Sequence, residues 1–145
     1  MTEVNLNMEP SERQAFLAER HVGVLGIERA DGPPLVVPVW YGYSPGGAVE
    51  ICMSAASLKG RLLHRAGRAT LCAQQEALPY KYVSVEGPVD IEPLGERAAS
   101  TVEALAIRYL GEEAGRAYAA QGVSADEIKV TIKPQRWFSV DYGRA

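Results

Sequence analysis

Between Lys81 and Ile91 the chain reads KYVSVEGPVDI: Val83, Val85, Gly87, Val89 and Ile91 are small or apolar, and Tyr82, Ser84, Glu86 and Asp90 alternate with them. A period of two sustained over this length puts one set on one face of a β-strand and the other set on the opposite face. A helix would scatter the same residues around its whole circumference. Gly87-Pro88 in the middle marks a bend or bulge, so the expectation is one long bent strand.

The rest of the chain supplies its neighbours. Ser11, with Gln14 three residues on, has the form of a capping box, and Phe16 and Leu17 open a short amphipathic helix ending near Arg20 that would lid one end of the core. His21 to Glu28 is strand-like, with Gly23 and Gly26 implying close approach by a neighbour or a bend. Asp31-Gly-Pro-Pro34 is a turn. Leu35 to Tyr43, LVVPVWYGY, is a strand apolar on both faces and is expected to be at least partly covered on both. Val49, Ile51 and Met53 alternate with Glu50, Cys52 and Ser54, and Ala69, Leu71 and Ala73 with Thr70, Cys72 and Gln74. Ala98, Val102, Leu105 and Tyr109 form one apolar stripe of a helix that Gly111 stops, and Glu112 to Gly122 reads as a second short helix and a loop. Ile128, Val130 and Ile132 make a strand with one wet face, and RWFSVDYG a last short strand. Six or seven short antiparallel strands in one domain, residues 1–145, with few helices, indicate a mainly β chain, and closure into a small barrel removes exposed edges.

Composition narrows the function. A net charge of −3 and a pI near 5.4 argue against general nucleic-acid binding. No apolar run reaches membrane length and the N-terminus lacks the pattern of a secretory signal, so a cytoplasmic protein is expected. Cys52 and Cys72 then read as small buried thiols, and with His21 and His64 in separate segments no metal-ligand spacing appears. No Ser/His/Asp or Cys/His arrangement and no pair of carboxylates is evident, so no catalytic residue is assigned.

Against this acidic background, Ile51 to Gln75 holds Lys59, Arg61, Arg65 and Arg68 and no Asp or Glu. Ser54 and Ser57 fall where a strand ends and a helical turn begins, and the unpaired N–H groups of a helix start, with hydroxyls beside them, bind phosphate. Lys59 would reach the same oxygens. The other reading is a solvated basic face. Pro38 cannot donate to a ladder, so it belongs at an edge, at a bulge or beside something other than a strand. There, with Trp40 and Tyr41, it would offer carbonyls and an aromatic wall to a flat ligand, unless those rings are core or dimer-interface aromatics.

The order and spacing of HVGVLGIERADGPPLVVPVWY, SAASLKGRLLHRAGRATL, YVSVEGPVDI, RYLGE and IKPQRWFSVDYG resemble the pyridoxamine 5′-phosphate oxidase-like split β-barrel family, over nearly the whole chain from Arg20 to Tyr142. The family includes enzymes using FMN and enzymes using the deazaflavin coenzyme F-420. The resemblance implies a homodimer with cofactor sites at the subunit interface. It would put the cofactor phosphate at Ser54, Ser57, Lys59 and Arg61, and the ring along Pro38, Val39, Trp40 and Tyr41 with Met53 beneath. Tyr80 and Trp137 would come from the partner subunit. It further implies hydride transfer to a small organic substrate, with coenzyme F-420 preferred over FMN. A non-enzymatic module that binds haem or sequesters a flavin is the alternative. Two departures stand out: Arg61-Leu62-Leu63 replaces the common Arg-Asn-Leu, and Ser57 or Leu58 stands where a second basic residue is frequent.

Overall fold

The computed structural model describes residues 3–145. These residues form seven strands and four α-helices: α1 Pro10–Ala18, β1 Gly23–Ile27, β2 Leu35–Val39, β3 Val49–Ser54, α2 Leu58–Ala66, β4 Arg68–Gln75, β5 Lys81–Pro93, α3 Ala98–Leu110, α4 Glu112–Ala120, β6 Glu127–Ile132 and β7 Arg136–Asp141. All pairings are antiparallel, in the order β2-β1-β4-β5-β6-β3, with β7 added to β5. The mainly β, antiparallel barrel expected from the alternation is what the chain forms.

The long strand is the hinge of this architecture. Its first half, Lys81 to Glu86, lies between β4 and β7, and its second half, Val89 to Pro93, pairs with β6. The change of partner falls at Gly87 and Pro88. A Cβ built on Gly87 would stand 1.8 Å from the carbonyl oxygen of Lys133, so only glycine lets the β6–β7 connection cross the strand there. Lys133 N–H donates to the Pro88 carbonyl at 2.9 Å and Gln135 N–H to that of Glu86 at 2.9 Å, fastening the crossing.

The two ends of the sheet, β2 and β3, do not pair along their length. They meet only at Gly42 and Glu50, whose N–H and C=O groups exchange two 2.9 Å bonds just beyond β2. The barrel is therefore split between β2 and β3. The inner faces of the strands meet as Leu25, Ile27, Val49, Ile51, Leu71, Val83, Val85, Val130 and Ile132, all at most 2% exposed, with Leu17 of α1 and Leu63 of α2 closing the ends. Burial of each such side chain contributes about 1.5–3 kcal/mol.

Four details differ from expectation. The first helix starts at Pro10 after Glu9 with no side-chain cap, because proline at the first position is already set for the helix; Gln14 instead accepts a 2.8 Å bond from the Gly46 N–H. The second strand is not covered on both faces: Val36 is 63% exposed and Pro38 is exposed too. On the long helix the fully packed positions are Ala98 and Ala106, and Val102, Leu105 and Tyr109 are half-buried, because this helix lies over the split rather than against the core. Gly23 does meet its neighbours closely, a Cβ there falling 2.8 Å from Leu71 and 2.9 Å from Tyr41, whereas Gly26 has room.

Candidate functional site

The split holds two adjoining cavities. The first, about 420 Å³, is lined by Val22, Pro38, Val39 and Trp40 on the β1–β2 side, Ile51 and Cys52 of β3, Lys59 of α2, Glu127 of β6, and Val102, Leu105 and Tyr118 from the α3–α4 hairpin. Such a volume lies within the range of small-molecule sites. Pro38 is where its chemistry demands: β2 ends the sheet path, and Pro38 opposes Val24 of β1 while its other side faces the split. Four residues expected to meet a cofactor, Pro38, Val39, Trp40 and Lys59, thus come together around one cavity. Among the described residues, no carboxylate lies within ion-pair distance of Lys59.

Other expected residues sit elsewhere. Tyr41 is fully buried, its hydroxyl donating to the Leu17 carbonyl at 2.7 Å, and burial pushes its phenol well above the ordinary range. Its ring belongs to the core and offers no wall to a ligand. Met53 is likewise a core residue. Arg61 lines a separate cavity of about 270 Å³ with His64, Ala55 and Ile91. The cause is helical geometry: residues two apart point to nearly opposite sides, so Lys59 and Arg61 cannot serve one small anion from one face. Tyr80 is 54% exposed beside Gln75, Tyr82 and Tyr142, and Trp137 carries the Arg13 guanidinium 4.9 Å from its centroid; neither reaches the split of its own chain.

The start of α2 is built as expected but is already engaged. Ser57 is the N-cap: its Oγ accepts from Gly60 N–H at 3.1 Å and donates to the Ser54 carbonyl at 2.7 Å. Ser54 Oγ lies 2.8 and 2.9 Å from the two carboxylate oxygens of Asp126, and Ala56 N–H donates to the same carboxylate at 3.0 Å. These bonds, the hydroxyl first, hold the Asp126 carboxyl below its usual value of 3.8. The chain has supplied its own anion. Asp126 escapes a sequence reading because only the β3–β6 register, Ser54 opposite Glu127, brings the loop before β6 to this point.

The α3–α4 hairpin contributes what the apolar stripe concealed. Tyr109 stacks on Trp40 at 5.1 Å and 7° between planes, and its hydroxyl lies 2.6 Å from the His21 carbonyl, 3.1 Å from that of Tyr41 and 3.0 Å from the Tyr41 N–H, which donates to it. Tyr118 tilts against the same indole at 5.3 Å. Trp40 is therefore held from the helix side. The second cavity, about 430 Å³, lies beyond Cys52 and Leu105, which line both, and is bounded by Gly42, Glu50, Ser100, Thr101, Ala104, Arg108 and Lys129. Burial pushes the Cys52 thiol up to about 11, so it stays protonated near neutrality.

No protein-family model matches the chain, and no curated protein matches it in sequence. Solved structures do. A conserved hypothetical protein from Mycobacterium tuberculosis superposes with a TM-score of 0.79 at 22% identity, over 99% of this chain and 92% of the other. An F420 reductase matches at 0.70 and 21%, over 86% and 94%. A protein from Listeria innocua described as a candidate pyridoxamine 5′-phosphate oxidase matches at 0.68 and 13%, over 90% and 96%. The chain has the pyridoxamine 5′-phosphate oxidase-like split-barrel fold. In this split barrel the gap between β2 and β3 is roofed by α3 and α4, and both cavities open there. No helix of the described residues is long and apolar enough to cross a membrane.

Proposed function

We propose that this split barrel binds a flavin-type cofactor, coenzyme F-420 in preference to FMN, in the gap between β2 and β3, and acts as an oxidoreductase on a small organic substrate. The observation that carries the reading is the convergence of Pro38, Val39, Trp40 and the unpaired Lys59 on one cavity. A ladder-free proline leaves backbone carbonyls of the edge strand open to a ring, and an ammonium at the cavity margin suits a phosphate. The F420 reductase and the oxidase-like protein of the same fold support the cofactor class.

When bound, such a cofactor supplies the hydride chemistry itself. The chain's residues then have four tasks. Lys59 neutralises the phosphate, with Ser54 and Ser57 at the helix start as its neighbours and Arg61 outside the direct contact. Pro38 and Val39 form the wall along the ring. Trp40, pinned by Tyr109 and Tyr118, fixes the depth of the gap, and Leu105 and Val102 exclude water from above. Cys52, kept as a thiol, lines the floor without becoming a nucleophile.

The site is proposed to be completed by a second copy, with Tyr80 and Trp137 entering from the partner in a homodimer. Whereas Trp137 packs against its own core beside Tyr43, Tyr80, exposed and away from the split of its own chain, supports this second copy. So does the uncovered outer face of the β2-β1-β4-β5-β7 sheet, where Val36 and Phe138 stand exposed. A second reading, haem binding, has the support of a haem-binding protein of the same fold from Mycobacterium smegmatis. The available histidines weigh against it: His21 Nε2 is 3.1 Å from the Phe16 carbonyl, and His64 lies outside the split. Titration of the purified protein with coenzyme F-420, FMN and haem, followed by fluorescence and absorbance, decides. Deazaflavin binding is the expected result, FMN alone would reassign the cofactor, haem alone would establish the second reading, and binding of none would remove the enzyme reading.

A further inference from the structure

The second cavity of the split has a cation that the fold does not neutralise. Arg108 lies near the end of α3, half-buried, with its guanidinium 5.8 Å from the ring centroids of both Tyr41 and Tyr109. One of its terminal nitrogens donates to the Ala18 and Glu19 carbonyls at 3.0 and 2.9 Å, closing the end of α1. Its Nε is buried without any partner, and among the described residues no carboxylate lies within ion-pair distance of the group. A guanidinium withdrawn from water and left without an anion is costly, and with Nη2 spent on two carbonyls and Nε closed off, its remaining terminal nitrogen is the one that can donate to a carboxylate. The other charges of the cavity are Lys129, 3.8 Å from Glu50 and 3.7 Å from Glu92, and Glu50 itself. These largely balance one another, so Arg108 dominates.

The remaining walls select the body of a ligand. Gly42 has no side chain, and a Cβ placed there would meet nothing within 4 Å, so flat room lies above the strand backbone. Ala104, Leu105 and the protonated Cys52 are apolar or nearly so, and Ser100 and Thr101 add hydroxyls at the margin. Cys52 and Leu105 also line the first cavity, so a molecule seated here abuts whatever occupies the other.

We infer that the second cavity is a substrate site for a small, flat, conjugated carboxylate, its carboxylate on Arg108 and its unsaturated body over Gly42 and Cys52. Its role as substrate rests on the cofactor reading above; the binding site rests on the cavity alone. The test is calorimetric or NMR titration of the full chain with trans-cinnamate, with the uncharged cinnamamide as control and the cofactor titration run separately. Saturable cinnamate binding, at least tenfold weaker for the amide and at least tenfold weaker in Arg108→Gln, is expected. Because Arg108 also closes α1, Ala104→Phe provides a second variant: it fills the cavity, leaves the guanidinium in place and is expected to abolish cinnamate binding. Equal affinity for acid and amide, cinnamate binding that Ala104→Phe does not change, or no cinnamate binding, whether or not the cofactor binds, would overturn the proposal. Cinnamate binding with the expected dependence in a protein that binds no cofactor would sustain the site and sink the oxidoreductase reading.

Discussion

At the residue scale, the start of α2 shows how one side chain can pre-empt a site built from charge. Lys59 is the free cation of the first cavity, and Lys59→Ala is expected to weaken cofactor binding by roughly 1.5–3 kcal/mol, the range for a hydrogen bond to a charged group; unchanged affinity by fluorescence titration would remove Lys59 from the site. Asp126 acts in the opposite sense. Its carboxylate occupies Ser54 Oγ and the Ala56 N–H, groups a phosphate would use. Asp126→Asn keeps an acceptor and loses the charge, so a severalfold gain in affinity for a phosphate-bearing cofactor is expected, and a loss would show that the carboxylate helps binding instead. The same residue has a pH signature. Its folded pKa lies below the ordinary 3.8, so its contribution to stability is present above that value and disappears as pH falls through the lowered one. The stability gap between wild type and Asp126→Asn in urea melts should therefore shrink with acidification. The basic window itself was legible in the sequence; its carboxylate partner was not, because seventy-odd residues of chain separate Ser54 from Asp126 and only strand pairing joins them.

At the element scale, the alternation of β5 and the stripe of α3 were both visible, and only the first gave the right burial. A strand inside a sheet has both neighbours dictated by its own hydrogen bonds, so its apolar face must be the core face. Helix α3 is anchored by α4 and by Tyr109 rather than by the barrel, so its stripe faces a gap. Tyr109→Phe would keep the stacking on Trp40 and strip the hydroxyl from the Tyr41 N–H and two carbonyls. A loss of about 1–3 kcal/mol is expected from the orphaned amide, read by urea unfolding, with a change in Trp40 fluorescence in the folded state. Gly87→Ala tests the hinge of β5. The added methyl collides with the Lys133 carbonyl carbon and oxygen, backbone atoms that cannot rotate away, so destabilisation of about 1–3 kcal/mol or more is expected, and a neutral melt would show that the crossing can shift.

At the scale of the whole molecule, the outer face of the five-stranded part of the sheet is the surface left to explain. Val36 at 63% and Phe138 at 49% exposure project from it, and a homodimer formed through this face would cover the second side of β2, which its apolar sequence had led one to expect. Phe138→Asp is expected to shift the protein from dimer to monomer in sedimentation or light scattering; a wild-type monomer at working concentrations would refute the dimer. Turn chemistry, strand alternation and the order of elements were determined by the sequence alone, because each depends on residues close together in the chain and on the two-residue and helical periods. From them came the antiparallel barrel, the choice for Pro38 among an edge, a bulge and a place beside something other than a strand, the helix start at Ser57 and the basic window after it. What only the tertiary structure decided are the quantities set by register and by packing across distance: that β2 and β3 leave a split, that Tyr41 is core, and that Asp126 and Arg108 reach the site. The physical reason is that a side chain's face follows from its own neighbours in sequence, whereas the atom it touches is chosen by a partner strand or helix that the local pattern does not specify.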